Sequence, residues 1–131
     1  MKKLVLTLTA LVACVLLSNS CEKHAYSIST NEFRVVTPDG VVHAVKSDKS
    51  TTVDKGATLY FYASSASGER ILGGSYDPVT ESTNIVATQG TYQNEPCIEV
   101  YCKDAGTASV TLNFLWQGFK LYKSASIIVN E

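Results

Sequence analysis

Ala108-Ser109-Val110-Thr111-Leu112-Asn113-Phe114-Leu115-Trp116-Gln117-Gly118-Phe119 is the stretch that decides the fold class. Ala108, Val110, Leu112, Phe114 and Trp116 alternate with Ser109, Thr111, Asn113 and Leu115, the period of two of a half-buried strand and not the 3.6 of a helix. Gln117-Gly118 reads as a two-residue turn. The return strand, Phe119 to Val129, then places Trp116 opposite Phe119 as an aromatic pair across the hairpin tip. Lys123 falls in the apolar phase of Phe119, Leu121, Ala125, Ile127 and Val129. Its position requires either a bulge that shifts the register or a stem that snorkels out at a sheet edge.

The chain upstream reads the same way. From Ala25 onward helical periodicity is almost absent, and short runs of Val, Ile, Thr, Tyr and Phe are separated by Gly, Pro, Asn, Asp and Ser. Thr37-Pro38-Asp39-Gly40 has the proline and glycine of a turn, so Phe33 to Val36 and Val41 to Val45 form a second hairpin. Thr58 to Ala63 follows the Asp54-Lys55-Gly56 turn, with Leu59 and Phe61 on one face and Tyr60 and Tyr62 on the other. Arg70 to Tyr76, Asn84 to Thr88 and Cys97 to Lys103 complete the set, the last ending at Asp104-Ala105-Gly106. Seven to nine strands with regular turn signals predict an all-β Greek-key sandwich of immunoglobulin-like type in preference to a barrel.

Val53-x-x-Gly56-x-x-Leu59, Asn84-Ile85-Val86-Ala87-Thr88, Ala105-Gly106-Thr107-Ala108-Ser109-Val110-Thr111 and Ser126-Ile127-Ile128-Val129 together resemble the bacterial immunoglobulin-like (Big-type) domains of adhesins and surface lipoproteins. The resemblance spans residues 50 to 130 and implies a non-enzymatic sandwich at the cell envelope. Such domains often carry an aromatic core residue on the third strand, where this chain reads Gly73-Gly74-Ser75-Tyr76.

The N-terminus has a separate logic. Met1-Lys2-Lys3, the apolar run Leu4 to Leu17 and Ser18-Asn19-Ser20-Cys21 follow the basic, apolar and small-residue order of a secretory signal. The apolar run is shorter than the roughly 20 residues a membrane-spanning helix needs. Cys21 resembles the lipidated cysteine of bacterial lipoproteins, with residues 1–20 the signal peptide, 21–31 the tether or first strand, and 32–131 the domain. Two other outcomes are open: cleavage before Cys14, or ordinary small-x-small cleavage that leaves Cys21 a free thiol. A lipidated Cys21 anchors the chain to the envelope, as an outer-membrane lipoprotein facing the periplasm or the surface. Without residues 1–21, Lys+Arg falls from 11 to 9 while all 12 acids remain, a net charge of −3. That balance, with no basic cluster, argues against nucleic acid as a partner and against an electrostatic membrane-surface site.

Chemistry is sparse. If Cys97 to Lys103 is one strand, Cys97 and Cys102 lie about 17 Å apart on opposite faces, beyond disulfide reach. By this spacing they are unpaired thiols, one in the core and one outward, unless Cys97 lies in the Pro96 loop and folds back; the simplest role for both is as small buried apolar residues. His24 and His43 supply no Cys-x-x-Cys or His-x-His spacing, so no metal and no cofactor is expected. No nucleophile elbow, phosphate loop or carboxylate pair marks a catalytic set, and His43 and Asp77 are the residues an enzyme would have to use. Aromatic residues are more suggestive: Tyr60 and Tyr62 lie on the face opposite Leu59 and Phe61, and Tyr76, Tyr92, Tyr101 and Tyr122 join Trp116 and Phe119 as rings that, turned outward, stack on sugars or anchor proteins. The same rings also serve cross-strand packing. The reading that follows is an envelope-anchored, non-enzymatic binding or structural module for a protein or glycan. A small periplasmic inhibitor of a secreted hydrolase, using Ala63 to Gly68 or Asn84 to Glu95 as loops, is the alternative, and an enzyme stands third.

Overall fold

The computed structural model describes residues 31–131, so the signal peptide 1–20, Cys21, the tether residues through Thr30 and His24 lie outside the described residues. Period-two patterning becomes strand throughout: β1 Glu32–Val36, β2 Val42–Ala44, β3 Ser50–Asp54, β4 Thr58–Ser64, β5 Ser75–Tyr76, β6 Ile85–Tyr92, β7 Glu95–Cys102, β8 Gly106–Trp116 and β9 Phe119–Asn130. Residues 31–131 form one compact unit.

Two sheets hold these strands. One runs β2-β1-β4-β7-β6 and the other β3-β9-β8-β5. Taking β1, β4, β5, β6, β7, β8 and β9 as A to G, the sheets read A-B-E-D and C-F-G, the immunoglobulin order. Strand β3 adds to the free side of β9 in parallel, Val53 opposite Val129, and β2 extends the first sheet as a hairpin on β1. The expected all-β sandwich is therefore the fold.

The β8–β9 hairpin has the register its sequence implies, Trp116 opposite Phe119 and Ile127 opposite Ala108, with no bulge. Gln117 (φ 46°) and Gly118 (φ 88°) both take positive φ, a type I′ turn. Of the two solutions for Lys123 the edge holds: β3 covers β9 only from Ser126 to Asn130, so Lys123 sits where β9 has an open side, half-exposed.

Three expectations change. The strand expected over Arg70 to Tyr76 shrinks to Ser75–Tyr76, because Gly73 (φ 76°) and Gly74 (φ 79°) leave extended geometry, and a Cβ at Gly74 would overlap the Phe114 ring. Arg70 makes only an isolated bridge to Ser64. Strand β3 has no counterpart in the sequence reading, since Val53 is the single buried residue among Ser50-Thr51-Thr52-Val53-Asp54. Asn84 to Glu95, offered as an inhibitor's protruding loop, is strand β6 and its tight turn.

Between the sheets lies a continuous core. Phe33 and Val35 of β1, Leu59 and Phe61 of β4, Ile98 and Val100 of β7 face Val110, Leu112 and Phe114 of β8 and Ile127 of β9, all essentially inaccessible to water. Tyr76 enters this core from β5, its ring 4.6 Å from that of Phe114. Its hydroxyl accepts a 2.9 Å hydrogen bond from the Ala63 N–H of the opposite sheet. Tyr76 thus supplies the aromatic core residue that is not obvious from Gly73-Gly74-Ser75-Tyr76 in the sequence.

Candidate functional site

Alternation along β4 sends Leu59 and Phe61 inward and Tyr60 and Tyr62 to the outer face of the five-stranded sheet. Tyr92, the last residue of β6, joins them there. The Tyr60 and Tyr92 rings are 5.0 Å apart at 31°, and the Tyr62 and Tyr92 rings 6.5 Å apart at 14°, nearly parallel. Arg70 caps the group, its guanidinium carbon 4.4 Å from the Tyr62 centroid and 5.6 Å from that of Tyr92. The same guanidinium donates to the carbonyls of Tyr92 (2.8 Å), Glu95 (3.2 Å) and Pro96 (3.1 Å), so it clamps the β6–β7 turn onto β4. Its Nε is buried without a hydrogen-bond partner in the described residues. Arg34, cross-strand from Tyr62, borders the patch through an ion pair with Glu32 and a hydrogen bond from Nε to Ser64 Oγ (3.2 Å). Tyr60 and Tyr92 are half-buried and keep accessible surface, while Tyr62 is 7% exposed beneath Arg70.

The aromatic residues singled out from sequence thus separate. Tyr60 and Tyr62 share the outer patch. Tyr76, 3% exposed, belongs to the core and has no face to offer a ligand. Trp116 and Phe119 lie in the inward phase of β8 and β9, where Phe119 meets Trp116 (5.5 Å, 76°) and Phe114 (6.4 Å, 78°) edge-on. They close the end of the core and remain half-buried at the tip. Arg70 and Arg34 were not singled out by sequence reasoning. Arg70 carries no local signal, because it acts on carbonyls 22 to 26 residues away, and Arg34, although its ion partner Glu32 is near in sequence, reaches the patch through Ser64, 30 residues on.

Cys97 and Cys102 are both free and both on β7, which excludes a fold-back of the Pro96 segment. Both are buried, as expected of small apolar residues, and the outward placement of one thiol inferred from the odd spacing is corrected. Cys97 has the phase of Glu99 and Tyr101, but that face is covered at this end of the strand. Burial pushes its thiol up to about 11, with Arg70 pulling the other way. Burial likewise raises Cys102. High thiol values of this kind belong to small apolar core residues and not to nucleophiles.

His43 lines two adjoining clefts of about 490 and 620 Å³ between the open edges of β2 and β3, with Lys46 and Lys49 at one end and Asp39 and Lys55 at the other. Asp39 sits below the usual carboxylate range because it accepts hydrogen bonds from the Thr37 hydroxyl and the Val41 N–H. Asp77 lines a separate depression with Asn113 and Lys120. No hydrogen bond joins His43 to a nucleophile or a carboxylate among the described residues, and no group of three His, Cys, Asp or Glu side chains gathers there to hold a metal ion. Among the described residues no helix is long and apolar enough to cross a membrane.

No family model and no curated protein matches the chain. The crystal structure of domains 4 and 5 of the S-layer protein SbsC is similar to it, with a TM-score of 0.43 and 15% sequence identity over 80% of this chain and 72% of that one. What the site can do therefore follows from its own geometry. It presents two accessible tyrosine rings with two fixed guanidinium groups beside them, a surface that can stack and donate hydrogen bonds but holds no group poised to move a proton or attack a carbonyl.

Proposed function

We propose that the chain is a non-enzymatic binding module of the bacterial envelope, tethered through a lipidated Cys21, that contacts a protein or glycan through the outer face of its five-stranded sheet. One observation carries this reading. Tyr60 and Tyr92 are held on the face turned away from the core, in contact with each other and with an arginine-capped third ring. Aromatic and arginine side chains are the types that dominate contact energies: the rings bring large area with little rotamer freedom to lose, and Arg70 is already held in place by its three hydrogen bonds. The basic, apolar, small-residue order ending at Cys21 supports the envelope location. Trp116 and Phe119 at the hairpin tip offer a second, smaller apolar contact.

Retention of the domain on immobilised cell-wall polysaccharide and on detergent-extracted envelope proteins tests the surface. Tyr60→Ala and Tyr92→Ala should each lower retention by about tenfold or more, the effect of losing a binding anchor. Tyr122→Ala, on the outer face of the other sheet and 73% exposed, should leave it unchanged. Full retention by folded Tyr60→Ala and Tyr92→Ala would remove this face from consideration. Intact-mass measurement of the membrane-fraction protein tests the tether, since residues 21–131 plus diacylglyceryl and acyl groups are expected and an unlipidated mass overturns the anchor.

A further inference from the structure

Every sheet edge exposes unpaired backbone groups that invite another strand, and proteins ordinarily blunt them with charge, proline, bulges or brevity. This domain does so at all its described edges but one. Strand β2 is three residues long, β5 is two, and β8 beyond β5 is covered where Val79 bridges Thr111 and Ser82 Oγ accepts from the Ser109 N–H. Strand β3 ends in Asp54 and is flanked by Lys49 and Lys55. The open half of β9 carries Lys120 and Lys123.

Strand β6 has none of these. It is eight residues, Ile-Val-Ala-Thr-Gln-Gly-Thr-Tyr, with no charge and no proline, paired to β7 in unbroken register and with no described strand on its other side. Beside it, Val86 and its cross-strand neighbour Tyr101 are exposed apolar side chains, 43% and 44% accessible.

We propose that β6 pairs antiparallel with β6 of a second copy of this chain, joining two five-stranded sheets into one. The sequence of the strand selects this occupant. Paired residues must share a face, so a two-fold axis perpendicular to the sheet passes through either Thr88 or Gln89. The axis through Gln89 sets Gln89 opposite Gln89, Thr88 opposite Gly90 and Val86 opposite Tyr92, a β-branched residue against an aromatic ring at both ends of the interface. No like charges oppose each other, because the strand contains none. The inference concerns the sheet edge and goes beyond the ligand surface proposed above, on which it does not depend.

The test uses the full chain purified from membranes in detergent. Across the axis the two position-89 Cα atoms lie about 4.5–5.5 Å apart, within disulfide reach. Oxidised Gln89→Cys should give a covalent dimer whose linked peptide carries position 89 from both chains, while Thr52→Cys on the β3 edge should remain monomeric. Sedimentation should find the wild-type chain dimeric and Gln89→Lys, which sets like charges opposite each other, monomeric with an unchanged thermal midpoint. A wild-type monomer at micromolar concentrations together with no selective linkage at position 89 overturns the proposal. So does a dimer that Gln89→Lys leaves intact, or linkage of position 89 to a different protein.

Discussion

The β8–β9 and β6–β7 hairpins end alike and are held differently. Each closes with a two-residue turn at positive φ, Gln117-Gly118 in one and Gln93-Asn94 in the other. At the β8–β9 tip the strands are joined by their own side chains, Trp116 edge-on to Phe119 directly across the ladder. At the β6–β7 tip the fastening comes from elsewhere, an arginine from the connection 65–74 that grips three carbonyls at the turn and lies over two tyrosine rings. A hairpin stapled by its own cross-strand pair is a local object. One stapled by a distant guanidinium depends on the whole sandwich having formed.

The largest expected effect breaks the second staple. Arg70→Ala removes three hydrogen bonds and the stacked cation, leaving half-buried carbonyls unpaired, and should cost about 2–4 kcal/mol in urea unfolding. Arg70→Lys should recover less than half, because a point charge cannot reproduce the fork. Trp116→Ala removes a half-buried ring without orphaning a polar group and should cost about 1–2 kcal/mol. If Trp116→Ala proves the more damaging, the contrast between the hairpins is reversed. Amide exchange at Gln93, Asn94 and Glu95 in Arg70→Ala localises the loss.

This contrast also separates what was legible in the sequence from what was not. The turn and register of the β8–β9 hairpin were readable in the sequence, since each strand buries one face and spells it in a period of two that only Lys123 interrupts. Tyr60 and Tyr62 were correctly separated from Leu59 and Phe61 for the same reason. Strand β3 escaped notice because a threonine-rich edge with one buried valine has no apolar rhythm, and its parallel pairing to β9 joins residues 76 positions apart. Tyr76 reads as one more tyrosine until the two preceding glycines, at positive φ, turn its strand into the core. Arg70 has no sequence signature at all. Its role exists only because the fold brings the Ser64 bridge beside the β6–β7 turn.

A pH titration sharpens the comparison, because Cys97 lies under the β6–β7 end and has no counterpart in the other hairpin. Its folded value, about 11, is above the ordinary 9.0, so the folded state holds the thiol proton more tightly than the unfolded one. The resulting stability is complete below pH 9 and is lost as pH rises from 9 to 11, at no more than about 1.4 kcal/mol per pH unit for one group. Cys97→Ala should flatten this slope when unfolding free energy is measured across the range. Arg70→Ala should extend the window at its upper end, because the guanidinium stabilises the folded-state thiolate, while the onset near pH 9 stays where the unfolded thiol sets it. Tyr76, raised by burial to about 12, continues the decline at higher pH, and a Tyr76→Phe variant isolates its share.

The smallest effect addresses what the two hairpins have in common. A type I′ turn needs positive φ at both central residues, which glycine adopts freely, asparagine tolerates and glutamine resists. Gln117 at φ 46° and Gln93 at φ 55° therefore carry backbone strain that neither fastening removes. Gln117→Asn and Gln93→Asn should each stabilise the domain by a few tenths to about 1 kcal/mol in equilibrium unfolding. Their kinetics should differ. The β8–β9 turn connects strands that already match side by side, so its relief should appear in the folding rate as a shared early contact. The β6–β7 turn is fixed only when Arg70 arrives, so its relief should appear as slower unfolding. Equal partition of the two substitutions between folding and unfolding rates would mean that both tips order together, and that the distant arginine acts no later than the local ring pair.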